Sequence, residues 1–212
     1  MHRPVRRLAQ LYAGLVLYGA SMALQIRAGL GLDPWDVLHQ GVSERSALSF
    51  GTVVILTGAL VLLAWIPLRQ RPGVGTVSNV FVIGVAVDAT LAILPDAGSA
   101  PAGVAMLLAG VGLNGVAGGA YIGAGLGPGP RDGLMTGLVR RTGRSIRVVR
   151  TSIELTVLVA GAALGGTVGV GTVVYALSIG PLVHALLPRM TVPPPPAPRP
   201  GPVAPAAGYT VS

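Results

Sequence analysis

Long stretches of this chain carry almost no charge. Residues 8–26, 49–68, 100–122 and 169–187 contain no Asp, Glu, Lys or Arg, and residues 73–94 contain only Asp88. Residues 150–166 carry Glu154 and open on Arg150. A helix needs about 20 apolar residues to cross ~30 Å of hydrocarbon. Open sheets leave backbone groups unpaired in lipid, so the expected spanning elements are helices. In chain order the first four runs, 8–26, 49–68, 73–94 and 100–122, have the required length. The last two, 150–166 and 169–187, share a glycine-rich turn at Gly165, Gly166, Gly169 and Gly171. The chain is expected to be an all-α membrane protein with six transmembrane helices. Only 10% of its 212 residues are charged, against roughly 25% in soluble domains, which excludes a water-soluble enzyme. The first run is too long for a removed signal peptide and lacks a small-residue cleavage site.

The basic residues orient the spans. All 15 are arginine. With 32 Gly and 18 Pro, this composition reads as that of a GC-rich, actinobacterial genome. The net charge of +8 does not indicate nucleic acid, because the arginines lie between apolar runs. Starting from a cytoplasmic N-terminus, thirteen arginines fall inside and only Arg27 and Arg45 outside. Asp33, Asp36, Glu44 and Asp96 fall on the outer side. The positive-inside rule then gives a multi-pass protein of the bacterial inner membrane with both termini cytoplasmic.

The sequence also repeats itself. Residues 11–92 aligned with 107–188, a fixed offset of 96, give 31 identities in 82 positions. Composition alone would give about 8, at roughly 10% per position. Ala28, Gly29, Leu30, Gly31, Pro34, Asp36, Leu38 and Gly41 return as Ala124, Gly125, Leu126, Gly127, Pro130, Asp132, Leu134 and Gly137. The run Gly73-Val74-Gly75-Thr76-Val77 returns at Gly169-Val170-Gly171-Thr172-Val173. Residues 1–98 and 99–188 are thus read as two repeats of three spans. Three is odd, so the second copy enters the membrane the other way up, as in many secondary transporters. Residues 189–212 are read as a disordered, proline-rich cytoplasmic tail.

Each repeat carries one short helix, expected at 34–44 and 130–141. Asp33 is a helix N-cap, followed by proline at the first helical position and a carboxylate in the first turn. Both helices are amphipathic and too short to span. They lie flat at the interface or enter as re-entrant elements buried against protein. The Gly-x-Gly ahead of each has no preceding strand and no following Lys, so it is not read as a phosphate loop.

The segments Gly29-Leu30-Gly31-Leu32-Asp33-Pro34-Trp35-Asp36 and Gly127-Pro128-Gly129-Pro130-Arg131-Asp132-Gly133-Leu134-Met135 resemble the YczE/YyaS/YitT group of bacterial membrane proteins. The similarity is closest to the YczE-like branch and covers about residues 8–188. The resemblance implies a multi-span inner-membrane protein. It brings no established catalytic or ligand residue. It also implies a link to secondary-metabolite production, a role known in bacilli.

The candidate ligand-binding residues are Asp36, Asp132, Arg131, Trp35, His39, Asp88, Glu154, His184 and Asn114. Ionisable groups inside a span are costly and face protein or water. Asp88 and His184 are repeat equivalents, read as an ion-linked pair or as two interfacial groups. Glu154 follows Arg150 at i,i+4, as a helix ion pair or a substrate carboxylate. Asp36 and Asp132 cap their helices or present carboxylates to a ligand in a shared cavity, where Arg131 would contact an anion. His39 and Trp35 are ligand contacts or interfacial side chains. Asn114, with its repeat equivalent Tyr18, is a ligand contact or polar glue between helices. A single histidine beside carboxylates offers too few ligands for a metal. No cofactor is expected.

The function expected from the repeat is that of a small-solute transporter or channel-like protein. The alternative is a non-transporting accessory factor acting on a partner protein. An intramembrane enzyme is disfavoured by the absence of cysteine and of HExxH or serine–histidine arrangements. Expected partners are the bilayer, a small molecule or ion, and a second copy in a homodimer.

Overall fold

The computed structural model describes residues 3–193. It contains eight helices: α1 (Arg3–Ala28), α2 (Pro34–Glu44), α3 (Phe50–Trp65), α4 (Val74–Leu91), α5 (Ala100–Gly123), α6 (Pro130–Thr142), α7 (Ile146–Ala163) and α8 (Val170–Met190). No strand occurs among the described residues. The starts of α2, α3 and α4 recur 96 residues later at those of α6, α7 and α8.

Matched local chemistry sets these starts. Pro34 and Pro130 stand at the first position of the short helices, where a missing N–H costs nothing. Ser49 and Ser145 cap α3 and α7 by accepting from Thr52 N and Val148 N. The Thr76 and Thr172 hydroxyls accept from the N–H of Gly73 and Gly169, at 3.1 and 3.2 Å. The turns before α2 and α6 need a left-handed backbone. Gly31 and Gly127 have φ of +109° and +124°, a region that side chains disfavour.

α1 packs along α5 and α4, α8 along α5, α3 along α4, and α7 along α2. Leu11, Leu15, Tyr18, Met22, Ala117 and Tyr121 belong to the core between α1 and α5. Two glycines 96 residues apart let these helices approach. A Cβ on Gly14 would stand 2.8 Å from Tyr121 N, and one on Gly110 would stand 3.0 Å from Ser21 O. Small residues at such crossings serve helix packing where no hydrophobic force joins the helices.

The halves are also tied by exchanged backbone bonds. Gly75 N donates to Leu126 O at 2.8 Å, and Gly171 N donates to Leu30 O at 2.7 Å. These are the same bond made twice, with the halves in exchanged roles.

The burial pattern is that of a chain whose solvent is lipid. Ser21, Gln25, Asp33, Asp36, His39, Thr76 and Asn114 are buried, while Leu60, Leu63, Phe81, Val85, Leu108, Val159 and Leu177 are exposed. α1, α4, α5 and α8 are long and apolar enough to cross a membrane. The other two expected spans are weaker by that measure. α3 is apolar but has 16 residues, about 24 Å at 1.5 Å per residue. α7 carries Arg147, Arg150 and Glu154 in its first half.

Asp33 and Asp36, which the charge count sets in the connection after the first run, are buried within the bundle. The tail expected from 189 is helical to Met190, and Val192 N then donates to Gly123 O at 2.9 Å. Residues 194–212, which include the remainder of the expected tail, lie outside the described residues.

A polar cavity where the two short helices meet

The N-termini of α2 and α6 face one cavity of about 400 Å3, with Asp33, Pro34 and Trp35 on one side and Gly129, Pro130, Arg131 and Asp132 on the other. Tyr18 of α1, Asn79 of α4, Asn114 and Tyr121 of α5, Arg150 and Glu154 of α7, and Tyr175 and His184 of α8 complete its polar wall.

Arg131 is the central cation. Its Nη2 donates to the Tyr18 hydroxyl at 3.1 Å, and its Nη1 lies 3.7 Å from Asp33 Oδ1. The guanidinium carbon stands 5.5 Å from the centroid of the Trp35 ring, within cation–π range. Asp33 Oδ1 also caps α2, accepting from Trp35 N at 2.8 Å and Asp36 N at 3.1 Å. Asp33 Oδ2 is buried and has no hydrogen-bond partner among the described residues. Asp36 is paired with His39 Nδ1 at 3.0 Å. Burial opposes the charge on Asp33 and Asp36, and Arg131 opposes that penalty.

α6 starts differently. Gly129 stands where α2 has Asp33, so no side chain caps it. Asp132 Oδ2 instead accepts from the Tyr121 hydroxyl at 3.0 Å. The Tyr18 and Tyr121 rings meet edge to face, centroids 6.0 Å apart. Asn114 donates to Ser21 Oγ at 2.8 Å and accepts from the Tyr175 hydroxyl at 3.0 Å.

Residues of both α7 and α8 line the cavity. α3 and α4 are zipped together by Gly51 and Gly84, where a Cβ on Gly84 would stand 2.5 Å from Gly51 O. The equivalents of these two glycines are Arg147 and Gly180, and a Cβ on Gly180 would meet nothing within 4 Å. No seam comparable to α3–α4 joins α7 to α8.

Of the nine candidate residues, Arg131, Asp132, Trp35, Asn114, Glu154 and His184 line the cavity. Asp36, in the first turn of α2, forms a buried pair with His39 behind Asp33, the expected N-cap. Trp35 and His39 are buried in the bundle. Asp88 stands apart. It accepts from Ser49 Oγ at 2.5 Å and Gly51 N at 2.7 Å, and so holds the start of α3. It makes no pair with His184. Glu154 pairs with Arg150 at 2.9 Å on the cavity wall.

Sequence reasoning missed Tyr121, Tyr175 and Asn79. Asn79 and Tyr175 are 96 residues apart, as are Tyr18 and Asn114. Polar side chains at equivalent positions of apolar helices were the available signal.

Polar groups turned inward under an apolar exterior define a membrane protein. The chain belongs to the family of unknown function DUF6198, which matches residues 5–188. It is 39% identical over 177 residues to an uncharacterised protein of Haemophilus influenzae, covering 84% of this chain and 81% of that one. It is 35% identical over 181 residues to the uncharacterised membrane protein YczE of Bacillus subtilis, covering 84% of each. Identity to the uncharacterised protein YyaS of the same organism is 25% over 179 residues, covering 82% of this chain and 89% of that one. The group expected from the short-helix motifs is therefore the right one. No solved structure matches.

Proposed function

We propose that the chain is a small-solute transporter of the bacterial inner membrane, not an enzyme, working by alternating access. In this reading the six longer helices span as two inverted three-span repeats, 1–98 and 99–188, with both termini cytoplasmic. α2 and α6 are re-entrant, and their N-termini form the solute site. Discontinuous helices of this kind bind solutes at the repeat interface of many transporters.

The observation that carries the reading is the unequal state of equivalent helix pairs. α3 is closed on α4, while α7 and α8, which both line the cavity, have no such seam. Exchanging the two states would seal the cavity on one side and open it on the other. In the proposed topology the α7–α8 opening, bounded by Arg150 and His184, faces the cytoplasm.

The reading is tested by reconstituting the full chain in liposomes and following osmotic light scattering after mixing with panels of small amines, carboxylates, polyols and inorganic salts. Faster solute entry than in empty vesicles, abolished by closing the cavity with Gly118→Trp, supports transport. Entry equal to that of empty vesicles for every class moves the chain to the accessory-factor reading.

A further inference from the structure

We propose that the cavity takes a small solute bearing a protonated amine, received by Asp132 beside the Tyr18 and Tyr121 rings. This rests on the transport reading and names its substrate class.

The charge of the wall carries the inference. Three carboxylates, Asp33, Asp132 and Glu154, face two cations, Arg131 and Arg150. Glu154 is bonded to Arg150, and Asp33 lies beside Arg131. Asp132 is left with no cation among the described residues. Its one hydrogen-bond donor is the neutral Tyr121 hydroxyl. Asp132 is partly exposed, so a ligand reaches it without breaking a buried contact. A carboxylate in a water-poor site is stabilised by an opposite charge and by charge-assisted hydrogen bonds.

Two further features favour an ammonium over an anion. Asp33 Oδ2, in the same wall, is a buried acceptor without a donor. The Tyr18 and Tyr121 rings line the same wall, and aromatic rings attract cations. Arg131, by contrast, already meets Tyr18, Asp33 and the Trp35 ring. The cavity, about 400 Å3, lies in the size range of small-molecule sites.

The test is a thermal-shift titration of the purified full chain in lipid nanodiscs at constant ionic strength. The probes are n-butylammonium and ethanolamine, butyrate and phosphate, erythritol, and sodium chloride. The wild type is expected to give a saturable shift with the amines. Asp132→Asn keeps an acceptor for Tyr121 but removes the charge, and should weaken amine binding by about tenfold or more, as for a charged hydrogen bond. Asp96→Asn, on the exposed Arg27 pair, should bind like the wild type. Equal amine affinity in Asp132→Asn overturns the assignment. So does selectivity of the wild type for butyrate, phosphate, erythritol or sodium, even if the variant fails to fold. Those results leave a solute-binding cavity in place. No saturable shift with any probe overturns the ammonium site and counts against the transport reading as well.

Discussion

Trp35 and Arg131 occupy the same position in the two halves of the sequence, 96 residues apart, and they lie against each other. The Arg131 guanidinium carbon is 5.5 Å from the centroid of the Trp35 indole. Both line the cavity that the two short helices face. The two halves differ here, with an indole in one and a cation in the other.

Replacing Arg131 should expose the cost of the carboxylates it serves. Arg131→Gln leaves Asp33 and Asp36 without their counter-charge. The expected loss is about 2–3 kcal/mol, below the full value for a buried pair because the arginine side chain is partly exposed. Adding Asp33→Asn removes one carboxylate while keeping the α2 cap, and should restore part of the loss. Unfolding of the two single variants and the double variant in one detergent measures the coupling. Strictly additive effects would contradict it.

Gly133 should not tolerate a side chain. A Cβ there would overlap the Trp65 ring, whose Nε1 donates to Pro130 O at 3.0 Å. Gly133→Ala is expected to destabilise by about 1–3 kcal/mol, as overpacking does. Trp65→Phe should relieve part of that loss in the double variant. The check is the melting temperature of each protein, with monodispersity by size exclusion.

The open and closed helix pairs predict a disulfide pattern. The sequence has no cysteine, so introduced pairs report alone. A Cβ on Gly58 would stand 3.6 Å from the Val80 Cβ, inside the range a disulfide needs. Gly58→Cys with Val80→Cys should therefore crosslink readily between α3 and α4. The equivalent pair on α7 and α8, Glu154→Cys with Ala176→Cys, should crosslink poorly at rest and better under a solute gradient. Equal crosslinking of both pairs under all conditions would remove the support for alternating access.

Asp88 should matter for stability and not for ligand. Asp88→Asn weakens the bonds from Ser49 Oγ and Gly51 N that hold the start of α3. A loss of about 1–2 kcal/mol is expected, the scale of a charged hydrogen bond. Amine binding should be unchanged at temperatures where the variant is folded, and calorimetric titration would show this.

Membrane orientation can be read with single cysteines. In the proposed topology Gly98→Cys reacts with an impermeant maleimide added to intact cells. Arg144→Cys reacts only after the cells are opened. The reverse pattern would turn the chain over and place the α7–α8 opening outside.

Much of the scaffold was legible because its signals are local. Proline at the first helical position and the glycine pairs ahead of it act over a few residues and recur at one offset. They placed the short helices at 34–44 and 130–141, against the observed Pro34–Glu44 and Pro130–Thr142. The site was harder to read because it is made by distant side chains. Arg131 could be assigned to the cytoplasmic connections by counting charges, yet it turns inward to Tyr18 and Asp33, over a hundred and nearly a hundred positions away. The link between Asp88 and the start of α3 is likewise tertiary. Offset arithmetic alone paired it with His184.

The exchanged bonds Gly75–Leu126 and Gly171–Leu30 bear on ancestry. Each half completes the other's backbone, and the two debts are identical. A half-length chain able to insert in both orientations could settle them with a second copy of itself, as an antiparallel pair. Gene duplication and fusion would then join partners already bound, after which Trp35 and Arg131 were free to become different residues.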